Sequence, residues 1–155
     1  MGQDVDRTLF SRRNRQSYRS KVQRCLDALT LMLREHPFAR DEPMTGVEVE
    51  LNLVDGELVP ALSGRQVLDA LAGADFQPEL GRWNMELNLP PRPLPGDEWR
   101  HFEHQLTDQL GLARSAADSC GARLAVIGIL PTIEPRHLVV DALSGEDRYL
   151  SLIHI

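Results

Sequence analysis

Three glutamates stand at spacings that can do chemistry. Glu48 and Glu50 lie in Thr45-Gly46-Val47-Glu48-Val49-Glu50-Leu51-Asn52-Leu53-Val54, and Glu86 in Asn84-Met85-Glu86-Leu87-Asn88-Leu89. From Val47 to Leu53 apolar and polar residues alternate strictly, the period of a half-buried β-strand. Val47, Val49, Leu51 and Leu53 then face a core, while Glu48, Glu50 and Asn52 share the opposite face. The stretch Asn84–Leu89 repeats the pattern, and Glu-Leu-Asn-Leu occurs at both 50–53 and 86–89. Glutamate is a poor strand former, and no basic residue separates the pair. Two carboxylates about 6–7 Å apart on one strand face repel by roughly 2–3 kcal/mol at an effective dielectric near 20. A divalent cation turns that repulsion into attraction. The spacing therefore predicts two strands of one sheet that present Glu48, Glu50 and Glu86 to a shared metal-bound ligand. A solvated acidic sheet face is the plain alternative.

The rest of the chain supplies elements to hold these residues. Between Ser11 and Arg34, Tyr18, Val22, Cys25, Leu26, Leu29, Met32 and Leu33 recur at spacings of three and four, which predicts an amphipathic helix ending before Pro37. Asp55-Gly56 signals a hairpin between 51–54 and 57–60. Ser63 caps a short helix with Val67, Leu68 and Leu71 inward, closed by Gly73. Phe76–Leu80 reads as a strand, and Pro90, Pro91, Pro93 and Pro95 argue against ladder pairing beyond Leu89. A long helix from Asp97 to Gly121 turns Trp99, Phe102, Leu106, Leu110, Ala113 and Ala117 inward. Arg123–Leu130 is a compact apolar strand expected at the centre of the sheet. Hairpins with helices on one face make this an α+β chain with a largely antiparallel sheet.

Composition bounds the function classes. The 155 residues, 42% hydrophobic and 26% charged, suit one globular domain with a sizeable core. No apolar run is long enough to span a membrane, and Met1–Phe10 carries no apolar leader segment. The expected setting is cytoplasmic, with Cys25 and Cys120 as small buried hydrophobes in a reducing compartment. The net charge of −6 divides unevenly: residues 1–40 hold nine Arg/Lys against four Asp/Glu, and residues 41–155 hold eight against nineteen. The basic part interleaves with apolar positions and has no aromatic platform, which speaks against nucleic acid as a partner. There is no Gly-rich phosphate loop, dinucleotide fingerprint or Cys/His zinc spacing.

Gly46-Val47-Glu48-Val49-Glu50 resembles the Gly-x-Glu-x-Glu strand of the glutamate–cysteine ligase family, in its plant-like and bacterial carboxylate–amine ligase branch. Glu79 to Asn88 resembles that branch's second acidic motif, with two acids seven residues apart. Ile127-Gly128-Ile129-Leu130-Pro131-Thr132 resembles its strand-end Gly-x-x-Pro element. The three motifs follow the family's order over Thr45–Thr132. The resemblance implies a glutamine-synthetase-like ligase domain whose curved antiparallel sheet, with flanking helices, holds Mg²⁺ and ATP on its concave face. It implies small-molecule substrates: ATP, glutamate or a similar carboxylate, and an amine such as cysteine. Glu48, Glu50 and Glu86 are then metal ligands, with Glu79 as a further candidate. Asn52, Asn88, Arg82 and Arg92 become candidate substrate-binding residues, and no residue is assigned as a covalent catalyst. His137 follows the Pro-Thr turn and is a further residue within reach.

Family members run well beyond 155 residues. Residues 1–150 are accordingly expected to be the N-terminal part of a single catalytic domain, inactive alone, and 151–155 a non-native tail. Two other classes compete: a non-catalytic module that binds a cation or small ligand on the same face, and a nucleic-acid adaptor using the basic first helix.

Overall fold

The computed structural model describes residues 11–35, 43–72, 74–147 and 149. The expected tail at 151–155, the helix-ending Gly73 and most of the linker before the first strand lie outside the described residues. Helix α1 (Arg12–Glu35) is followed by β1 (Met44–Val54), α2 (Gly64–Ala70), β2 (Phe76–Pro78), β3 (Asn84–Pro93), α3 (Glu98–Ser119) and β4 (Arg123–Ala125). Two short 3-10 turns follow, Pro135–His137 and Val140–Ala142, and Leu143 beyond them bridges to Gly81. The four strands form one open antiparallel sheet in the order β2-β3-β1-β4, so the chain is α+β.

The alternation read from the sequence sets the two faces. Leu51, Leu53, Met85, Leu87 and Leu89 are buried against Val67 and Leu71 of the α2 region and against Phe102, Ala113, Ala116 and Ala117 of α3. Small alanines let α3 lie close to the sheet. A second cluster joins Val54, Trp83, Leu130 and Ala142 at the far end of β1. Gly64 is required where α2 starts: an added Cβ would sit 2.5 Å from the Arg82 carbonyl oxygen, which accepts the Gly64 N–H at 2.7 Å. Gly121 ends α3 with φ +71°, a left-handed conformation that glycine adopts without steric cost.

Several expectations are corrected. β3 does not stop at Leu89; it runs to Pro93, and a register shift between Thr45 and Val47 lets Arg92 pair with Thr45 and Pro93 with Met44. A bulge of this kind tolerates prolines because their missing N–H need not enter the ladder. β4 is short and lies at the sheet edge, not its centre. After Ala125 the Asn52 amide nitrogen takes the Ile127 and Gly128 carbonyls at 3.1 and 3.4 Å, so a side chain replaces the ladder there. The 55–60 turn is wider than a two-residue hairpin. Asp55 Oδ1 accepts the Glu57 and Val59 N–H groups, and only Val54 and Pro60 form a bridge. Trp99 is 58% exposed and not inward. Ser63 precedes α2 without a side-chain capping bond. Cys25 is exposed on α1 and Cys120 half-buried after α3, both as free thiols. α1 forms as expected, but none of its residues is buried.

Candidate functional site

Strand register decides which side chains meet. Glu50 lies directly opposite Glu86, Glu48 opposite Asn88, and Asn52 opposite Asn84. On the other side of β3, Gln77 lies opposite Glu86. Directly paired residues of an antiparallel sheet project to the same side, with Cβ atoms about 4.5–5.5 Å apart. Glu48, Glu50, Asn52, Gln77, Asn84, Glu86 and Asn88 therefore share the sheet face opposite the helices. Glu79 joins them from the turn after β2: its carboxyl is in hydrogen-bond contact with that of Glu86, and its Oε2 accepts the Leu80 N–H at 3.1 Å.

The face is acidic and unevenly buried. Glu48 and Glu50 are exposed, whereas Glu86 is only 7% exposed. The Glu86 carboxyl is held above the usual carboxylate range, first by burial, then by its hydrogen bond with Glu79 and by the charges of Glu79 and Glu48. None of the four glutamates forms an ion pair with a described Arg, Lys or His side chain. A hollow of about 570 Å³ opens beside them over Glu48, Asp75, Gln77 and Asn88. The Asn88 amide oxygen and nitrogen are buried there without a hydrogen-bond partner.

The other candidates are placed differently. Asn52 is 2% exposed, and its amide is spent on structure: Nδ2 donates to the two carbonyls after β4, and Oδ1 accepts Asn84 Nδ2 at 2.9 Å. Arg82 is exposed and its Nη1 donates to the Asp141 carbonyl at 3.1 Å. It lines a separate hollow of about 800 Å³ between α2, β2 and residues 143–146, which contains none of the four glutamates. Arg92 reaches Glu98 at the start of α3, with 3.5 Å between Nη1 and Oε2. His137 is buried beside Trp83, ring centroids 6.5 Å apart, and its Nδ1 accepts the Glu134 N–H at 2.9 Å. Asp75 and Gln77 were missed by the sequence reading. Their signal was the alternation Asp75-Phe76-Gln77-Pro78-Glu79, whose polar members line up with the acid-bearing face.

Among the described residues no three Asp, Glu, His or Cys side chains come close enough to cage a metal by themselves. Mg²⁺ is seldom caged by protein alone; it takes one or two carboxylates and completes its shell with water and phosphate oxygens. The clustered carboxylates around Glu86, none of them ion-paired to a described cationic side chain, fit such a shared site, because a cation there offsets the repulsion from Glu79 and Glu48. Compared with family models, with curated proteins and with solved structures, the chain finds no match in any of the three.

Proposed function

We propose that this chain is the N-terminal portion of an ATP- and Mg²⁺-dependent carboxylate–amine ligase of the glutamate–cysteine type, within a glutamine-synthetase-like domain. The observation that carries the reading is the placement of Glu48, Glu50 and Glu86 on one face of two directly paired strands, with Glu79 beside Glu86 from the turn after β2. The motif resemblance supplies the reaction class. In that reaction the γ-carboxylate of glutamate attacks the γ-phosphate of ATP and expels ADP, and an amine then displaces phosphate from the acyl phosphate, losing a proton as the amide forms.

Of Glu48, Glu50 and Glu86, one or two would hold the cation at a time, with water and phosphate oxygens completing its shell; when bound it would neutralise phosphate charge and polarise the phosphoryl oxygens. Glu79 orients Glu86 through their shared hydrogen bond. Asn88 offers both an amide donor and an acceptor in the hollow. Asn52 positions the face and does not touch substrate, because its amide already holds the chain after β4. Carboxylates on paired strands are fixed more firmly than loop residues, and phosphoryl transfer depends on such positioning more than on a protein nucleophile.

Two measurements test this. Mn²⁺ titrated into the chain and followed by its paramagnetic signal should bind, with affinity falling about tenfold or more in Glu86→Gln and in Glu48→Gln. In the complete ligase, Glu48→Gln with Glu50→Gln should abolish ADP release dependent on glutamate and cysteine while leaving the circular dichroism unchanged. Unaltered turnover removes the proposal. Cation binding without ADP release from the complete protein supports the non-catalytic module instead.

A further inference from the structure

α1 is a 24-residue helix with no buried residue, yet it carries a continuous apolar stripe. Tyr18, Val22, Leu26, Leu29, Met32 and Leu33 are all exposed, and Cys25 with them. In proteins most of a helix's stability comes from packing its apolar face, and α1 packs that face on none of the described residues. The stripe follows a strict rhythm of four, three, four, three through Tyr18, Val22, Cys25, Leu29 and Met32. That is the seam of a coiled coil, in which each apolar side chain enters a hole on a facing helix.

We propose that α1 is a self-association surface and that its partner is α1 of a second copy, packed antiparallel across a twofold axis. Charge chooses the orientation. Six of the seven basic residues of α1 lie between Arg12 and Arg24, while Asp27 and Glu35 lie in the other half. Parallel packing stacks the basic halves on one another, and antiparallel packing sets each against the acid-bearing half of its mate. One register satisfies the seam and its flanks together. Val22 packs against Met32 of the second copy, and Cys25 against Leu29. Leu26 then meets its own twin beside the seam. On the other flank Lys21 faces Glu35 of the second copy, and symmetry repeats that opposite-charge pair.

Size agrees. Val22, Cys25, Leu26, Leu29, Met32 and Leu33 each have roughly 60–100 Å² left to hide. Two copies together then reach about 1,000 Å², the lower edge for a specific interface. Leu31 falls on the outer side and stays in solvent.

Sedimentation equilibrium on the intact chain tests the pairing, and none of the residues changed lies on the acidic sheet face. The native chain is expected to be a dimer at micromolar concentration. Leu29→Asp should weaken it by about 100-fold or more, because the seam would bury an unpaired charge, and Leu31→Asp should leave the mass unchanged. Lys21→Glu should weaken the dimer by about tenfold, and adding Glu35→Lys should restore it to within about threefold. A native chain that stays monomeric overturns the proposal. So does a dimer indifferent to Leu29→Asp, or a Lys21→Glu/Glu35→Lys chain no tighter than Lys21→Glu alone. The double exchange keeps the test decisive if Leu29→Asp loses helicity.

Discussion

Glu86 is the residue at which stability and chemistry oppose each other. Its carboxyl titrates above the ordinary glutamate range in the folded chain, because burial and the neighbouring Glu79 and Glu48 disfavour its charge. A carboxyl whose pKa is raised by folding binds its proton more tightly in the folded state. Its contribution is favourable below the unfolded value and is lost as pH rises through the folded one. Glu86→Gln is therefore expected to raise the melting temperature at pH 7, because the neutral amide carries no charge to bury beside Glu79 and Glu48. The gain should disappear below about pH 4, where the native carboxyl is protonated as well. Melting curves at both pH values check this. Asn52 behaves in the opposite way. Asn52→Ala removes bonds to Ile127, Gly128 and Asn84 and should cost about 2–3 kcal/mol in urea unfolding, since buried polar groups lose their partners. Leu58 holds a φ of +63° on an exposed turn, so Leu58→Gly should stabilise by about 1 kcal/mol in the same assay.

Elements were legible where a period ran long enough. Seven residues of alternation, Val47 to Leu53, gave the centre of β1 and its two faces, and apolar spacing gave α1 and α3 nearly to their ends. Pairing was harder. The prolines at 90, 91 and 93 read as a stop, but a bulge absorbs them, and a bulge has no signature in composition. The run from Arg123 to Leu130 looked central because it is apolar, yet Ile129 is 92% exposed and Asn52 diverts the chain after Ala125. The acid-bearing face was visible because side-chain direction follows from period alone. The positions of Arg82 and Arg92 were not, since a long flexible side chain is placed by partners distant in sequence, Asp141 and Glu98. Close approaches between elements also escape sequence reading. Gly64→Ala should lower stability by about 1–3 kcal/mol through collision with the Arg82 carbonyl. Trp99→Ala should cost about 1 kcal/mol, less than a fully buried tryptophan would, because the ring is 58% exposed and packs on Phe102 with 6.1 Å between centroids.

At the scale of the whole molecule, charge is segregated. The excess of acid lies in residues 41–155, and the four glutamates concentrate part of it on one sheet face. No described helix is long and apolar enough to cross a membrane. A divalent cation should therefore stabilise the chain beyond what matched ionic strength achieves with NaCl. At a tenfold excess over its dissociation constant, Mg²⁺ adds about 1.4 kcal/mol, or roughly 3–5 °C, by mass action. Equal shifts with the two salts would reduce the effect to general screening.

β1 spans eleven residues, but β4 covers its outer flank only at Asn52–Val54. Among the described residues nothing is laddered to that flank from Met44 to Leu51. Every second amide there points away from β3. In heavy water those amides should take up deuterium within the earliest time points while their alternating neighbours stay protonated. The strand that presents Glu48 and Glu50 would then show a two-residue stripe of fast and slow labelling, and uniform protection along it would reveal a further strand in place.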